Sequence, residues 1–128
     1  MENLNDPRQL AVTIAKVLDS KKALEVKVLK VRDLTVLTDY FVIASGTSTT
    51  HTAALADEVE FQLGEKGVKP MASEGYDSKN WVLLDYGSVI VHVFVPNTRT
   101  YYDLEHLWAD AEPVALAELE AQAESPAE

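Results

Sequence analysis

Residues 40–44, Tyr-Phe-Val-Ile-Ala, form an unbroken apolar run that ends at Ser45-Gly46-Thr47-Ser48. Successive side chains on a strand point to opposite faces, so a run with no polar break belongs to a strand covered on both sides. This one requirement puts the segment inside a layered fold. The stretches around it supply the layers. Asn5-Asp6-Pro7 reads as a helix start, with an acid at the cap and proline in the first turn. Leu10, Ala11, Ile14, Ala15 and Leu18 then recur as one apolar stripe. Leu24, Val26 and Val28 alternate with Glu25 and Lys27, as in a half-buried strand.

After the SGTS turn, Ser48 or Thr49 is placed to cap a second helix running to about Lys66, with Leu55, Ala56, Val59 and Leu63 on one face. Residues 68–71 read as a short strand followed by a loop over 72–80. Residues 81–85 and 89–95 read as a hairpin around Asp85-Tyr86-Gly87-Ser88, and Asn97 is placed to cap a closing helix through Trp108. The expected fold is therefore α/β, a mixed sheet of about five strands flanked by helices. Residues 1–113 are expected to form one domain. Residues 114–128, rich in alanine and acids with no basic residue, are expected to fray.

Charge and cysteine usage narrow the function classes. With no cysteine there is no disulfide, thiol nucleophile or thiolate metal site, which fits a reducing cytoplasm. No apolar run approaches the roughly 20 residues that span a bilayer, and the polar start is unlike a signal peptide, so no membrane partner is expected. A net charge of −10 disfavours direct grip on phosphate backbones and suits a basic protein partner.

Chemistry is hard to assemble from the residues present. The SGTS turn before a helix could offer backbone N–H groups to an anion, but it is not a G-x4-G-K-[S/T] loop. Glu58 and Glu60 sit two apart on a helix, about 200° around the axis, and cannot share a metal. His51, His92 and His106 lack ligand spacing, and His92, among Ile90, Val91, Val93 and Phe94, is expected to be buried and hydrogen-bonded. Neither a cofactor nor a catalytic residue is expected. The aromatic and charged set near the end of the chain points to docking instead. Trp81, Leu83 and Asp85 share one strand face and Val82 and Leu84 the other, so with the second face in the core Trp81 would stand outside as an exposed indole beside an acid. Tyr101, Tyr102, Glu105 and Trp108 lie near one another on the last helix, with Leu104 and Trp108 expected to pack it onto the sheet.

The same residues carry a resemblance. Glu74-Gly75, Trp81, Asp85, Gly87 and Val89 to Val93 with His92, then Arg99, Tyr102, Leu104-Glu105 and Leu107-Trp108, together with the block over residues 39–51, resemble the ribosomal silencing factor (Iojap) family over roughly residues 5–112. Ser88 and Thr50 depart from its usual aspartate and basic residue. The resemblance implies a nucleotidyltransferase-like shape without catalytic acids. It also implies a translation repressor that binds the large ribosomal subunit through ribosomal protein L-fourteen, blocks joining of the small subunit, and lowers translation when nutrients are scarce. Carried over by position, its surface motif falls on Glu74, Trp81, Leu83, Asp85, Arg99, Tyr102 and Glu105, with Trp81 as apolar anchor, Asp85 and Glu105 facing basic groups, and Gly75 and Gly87 serving turns. Two other classes stay open at this point: a nucleotide-binding or nucleotidyltransferase-like enzyme using residues 45–50, and an adaptor that forms a homodimer when free.

Overall fold

Apolar stripes and caps settle where the helices lie. The computed structural model describes residues 3–114. Helix α1 (Pro7–Ser20) opens with the Asp6 carboxylate accepting from the Gln9 N–H and proline in its first turn. The stripe Leu10, Ala11, Ile14, Ala15 and Leu18 is buried, joined by Val12 and Val17. Helix α2 (Thr49–Glu65) is capped by the Ser48 hydroxyl and buries Thr52, Leu55, Ala56, Val59 and Leu63. Both helices pack on one face of a six-stranded sheet, over a core that includes Val28, Val42, Val82, Leu84, Val89 and Val91.

The strands are β1 (Leu24–Lys30), β2 (Tyr40–Ser45), β3 (Ala72–Glu74), β4 (Trp81–Asp85), β5 (Val89–Phe94) and β6 (Glu112–Val114), in the order β3-β4-β5-β2-β1-β6. The apolar run of β2 is buried along its whole length, as its sequence requires. Its neighbours are β5, which runs parallel from Tyr40↔Val89 to Ser45↔Phe94, and β1, which is antiparallel. Every other pairing in the sheet is antiparallel, so the sheet is mixed. The hairpin places Trp81 opposite Phe94, Leu83 opposite His92 and Asp85 opposite Ile90.

A second, thinner layer covers part of the other face. Helices α3 (Pro96–Tyr102) and α4 (Leu104–Leu107) meet at Asp103, whose φ of 47° lies in the left-handed region. Leu104 and Trp108 settle there against Leu29, Phe41, Ile43 and Phe94, as expected for the closing helix.

Several expectations are corrected. The closing helix is two short helices, and Asn97 does not cap it: Val95 holds the cap position with no side-chain hydrogen bond. The short strand is β3 at Ala72–Glu74 rather than residues 68–71, because Met71 N donates to Asp85 O and only then does the chain pair along β4. β1 is broken by a register shift between Leu24 and Lys27, with Glu25 at φ 48°, so Leu24 is exposed and the alternation fails at its start. A sixth strand replaces the expected start of the frayed tail at Val114, whose side chain is buried against Val28. Residues 115–128 lie outside the described residues.

Candidate functional site: an open strip of sheet beside an aromatic cluster

The helical layer α3–α4 covers the β5-β2-β1 side of its face and leaves the β3-β4 side open. Cross-strand pairing fixes what that opening displays. One row runs Glu74, Leu83, His92, and the next runs Ala72, Asp85, Ile90. Leu83, Asp85 and Ile90 are half-buried, and Ala72 and Glu74 are exposed, whereas Val82 and Leu84 on the opposite face are fully buried. The strip thus sets an apolar centre, Leu83 and Ile90, between two carboxylates, so it offers contact area and negative charge side by side. Asp85 is held in place: its Oδ1 accepts from Gly87 N at 2.8 Å.

The strip ends at a cluster of rings. Trp81 lies with its ring centre 4.9 Å from Phe94, 4.7 Å from Tyr102 and 5.8 Å from His92. Its Nε1–H donates to His92 Nδ1 at 3.1 Å, which puts the histidine proton on Nε2. His92 is 5% exposed, met edge-to-face by Phe41, and its Nε2 has no hydrogen-bond partner. Burial disfavours its charged form and lowers its pKa to about 4, so the ring is neutral near pH 7. This corrects the expectation of an exposed indole. Trp81 is half-buried because Tyr102, reaching back from the end of α3, covers a face that β4 alone would leave bare. Below it, the turn that sets Trp81 depends on Gly75, at φ 96°, where a Cβ would run into the Trp81 carbonyl. Gly75 and Gly87 both lie at positive φ in turns, as anticipated.

Arg99 and Glu105 are not part of this surface. Arg99 is 8% exposed and spends its guanidinium inside the protein. Nη1 donates to Ser45 Oγ at 2.9 Å and to Leu24 O, Nη2 to Glu25 O at 2.9 Å and to Glu105 Oε2 at 2.7 Å, and Nε to Glu105 Oε1. It is a buried staple that closes the carbonyls freed by the β1 bulge. Partial burial by itself would raise the Glu105 pKa, but hydrogen bonds and charge attraction from Arg99, with Lys27 3.7 Å away, outweigh it and hold the group below its usual value. Glu105 thus already has its basic partners.

Of the seven residues expected at the site, Glu74, Trp81, Leu83, Asp85 and Tyr102 are gathered on or beside the open strip, while Arg99 and Glu105 turn inward across α3. Ile90 was missed. Ile90 was within reach, since a hairpin turning on residues 85–88 sets it opposite Asp85.

Glu58 accepts from Gln62 and Glu60 from Tyr76, so the two carboxylates are committed apart. The Tyr76 hydroxyl is driven above its ordinary pKa by burial first and by Glu60 second. Gly46 serves packing: a Cβ there would sit 2.6 Å from Thr52 Oγ1 and almost as close to its backbone. His51, at the start of α2, accepts from Thr47 N and reaches Lys21 O, tying α2 to the end of α1. No helix among the described residues is long and apolar enough to cross a membrane.

Comparison with known proteins gives the chain its family. The family model described as "Ribosomal silencing factor during starvation" matches residues 4–128. A ribosomal silencing factor of Halalkalibacterium halodurans is 41% identical over 108 residues, 84% of this chain and 90% of that one. A mouse protein named for mitochondrial assembly of the ribosomal large subunit is 35% identical over 98 residues, 74% of this chain and 43% of that one. The crystal structure of a Chromobacterium violaceum protein superposes with a TM-score of 0.75 at 38% identity, covering 84% of this chain and 91% of that one. Sequence and fold agree over most of the chain, which belongs to the ribosomal silencing factor family, a family of regulatory proteins rather than enzymes.

Proposed function

We propose that this protein represses translation by binding the large ribosomal subunit through ribosomal protein L-fourteen and standing where the small subunit would join. Family membership supplies the ribosome, and the name of the mouse relative points to the large subunit in particular. The observation that carries the docking reading is the open strip: Leu83 and Ile90 flanked by Glu74 and Asp85, on a protein of net charge −10. A basic ribosomal protein complements that surface, whereas bare RNA would be repelled by it.

The test is subunit joining. Purified large subunits preincubated with the protein should give fewer joined ribosomes on adding small subunits, while preformed ribosomes respond less. The protein should co-sediment with large and not with small subunits. Unchanged joining at saturating protein would overturn the proposal. Whether L-fourteen is the contact is read by cross-linking from a photoreactive group at Leu83.

A further inference from the structure

A groove lies on the far side of Trp81 from the open strip. It is lined by Ser78 and Asn80 from the loop before β4, by Trp81, and by Asn97, Thr98, Tyr101 and Tyr102 from α3, and has a volume of about 610 Å³. Tyr101 is 81% exposed and meets Tyr102 edge-to-face at 5.0 Å, so its ring face is open to a ligand. The side-chain amides of Asn80 and Asn97 make no hydrogen bond among the described residues. The walls are set by the backbone: Val95 N donates to Asn80 O at 2.9 Å, and Lys79 N to Gly75 O. The groove is therefore shaped in advance, has aromatic faces and unused amide oxygens, and has no charged side chain in its lining.

That combination selects for one kind of group. A carboxylate-free aromatic site with neutral acceptors prefers a flat, weakly hydrated cation that stacks and donates at its edges; a compact, strongly hydrated ammonium gains less from it. A nucleobase would stack equally well, but its phosphates would approach a protein of net charge −10, with only Lys79 beside Ser78, and Asp77 on that residue's other side. We infer that this groove is a second subsite for the ribosomal protein partner and takes an arginine side chain, stacked on Tyr101 and hydrogen-bonded by Asn80 and Asn97. The inference rests on the docking reading above and extends that surface past Trp81, with Tyr102 as the wall between the two subsites.

Tyr101→Ala is a clean probe, because so exposed a ring contributes little to the fold. It should leave the unfolding midpoint unchanged and weaken binding to large subunits about 5- to 30-fold, the range for losing a stacked cation and its ordering. Tyr101→Phe should bind like the parent. Leu83→Arg, on the open strip, is the control. Loss with Leu83→Arg but none with Tyr101→Ala overturns the groove and leaves the docking reading standing; loss with neither overturns both. Identity of the occupant is read directly by NMR, titrating N-acetyl-arginine amide, N-acetyl-lysine amide and AMP. The arginine compound should shift the Asn80 and Asn97 side-chain amide signals most, and should lose that effect in Tyr101→Ala. A larger response to AMP would overturn arginine in favour of a nucleobase.

Discussion

His92 makes the fold sensitive to mild acid, in an amount that follows from its surroundings. In the unfolded chain the ring titrates near 6.5, and in the native protein near 4, because protonation would place a charge in a shell made of Phe41, Trp81 and Phe94. It would also remove the acceptor that holds the Trp81 N–H. A group whose native pKa is depressed below the unfolded value binds its proton first in the unfolded chain, so stability falls as pH drops from about 6.5 toward 4 and is regained upward through that window. At roughly 1.4 kcal/mol per pH unit the full loss is about 3 kcal/mol, and the part between pH 7 and pH 5 is about 2 kcal/mol. That upper part is the useful one, since Glu105, held below its ordinary 4.5, loses its contribution only at lower pH. The assay is urea unfolding followed by tryptophan fluorescence at pH 7, 6 and 5, for the parent and for His92→Asn. Asparagine keeps an acceptor at the δ position but cannot titrate, so the variant starts less stable and loses about 2 kcal/mol less over the same interval. Parallel losses in the two proteins would refute the assignment of this acid sensitivity to His92.

Three further outcomes follow from the same geometry. Arg99→Met should cost about 3 kcal/mol in chemical unfolding, because it strands Glu105 and the Leu24 and Glu25 carbonyls, and adding Glu105→Gln should recover part of that loss. Gly75→Ala should cost about 2 kcal/mol by the same measurement, since alanine is strained at φ 96° and its Cβ collides with the Trp81 carbonyl. Glu74→Gln with Asp85→Asn should slow association with large subunits at low salt, the difference shrinking as screening shortens to about 8 Å at physiological ionic strength, as stopped-flow mixing would show; Glu105→Gln should leave that salt dependence unchanged.

Local chemistry was readable where a residue's surroundings are its own sequence neighbours. Asp6 and Ser48 cap the helices they precede, and the runs at 40–44 and 89–94 became adjacent central strands. What escaped reading depends on residues far apart in the chain. Trp81 has the alternation of an outward side chain, yet Phe94 and Tyr102, thirteen and twenty-one residues later, pack against it. An arginine in a short helix reads as solvated, yet Arg99 is drawn in by carbonyls exposed at a bulge seventy-four residues earlier. The split between α3 and α4 rests on a left-handed aspartate, which no periodicity announces. The five site residues that came together lie on β3, β4 and the end of α3, where strand register alone nearly sets the surface.

The parallel pairing at the centre of the sheet has a consequence for how the chain is made. Tyr40 meets Val89 and Ser45 meets Phe94, so the middle strand waits for a partner synthesised almost fifty residues after it. Closing so long a loop costs entropy before any contact repays it, which slows folding relative to a chain built from local contacts. On a translating ribosome, α1, β1, β2 and α2 emerge with one apolar edge of β2 still unpaired. Any truncation ahead of residue 94 leaves that edge exposed, an invitation to aggregate. For this fold the central pairing waits for β5, after about three-quarters of the chain has been read.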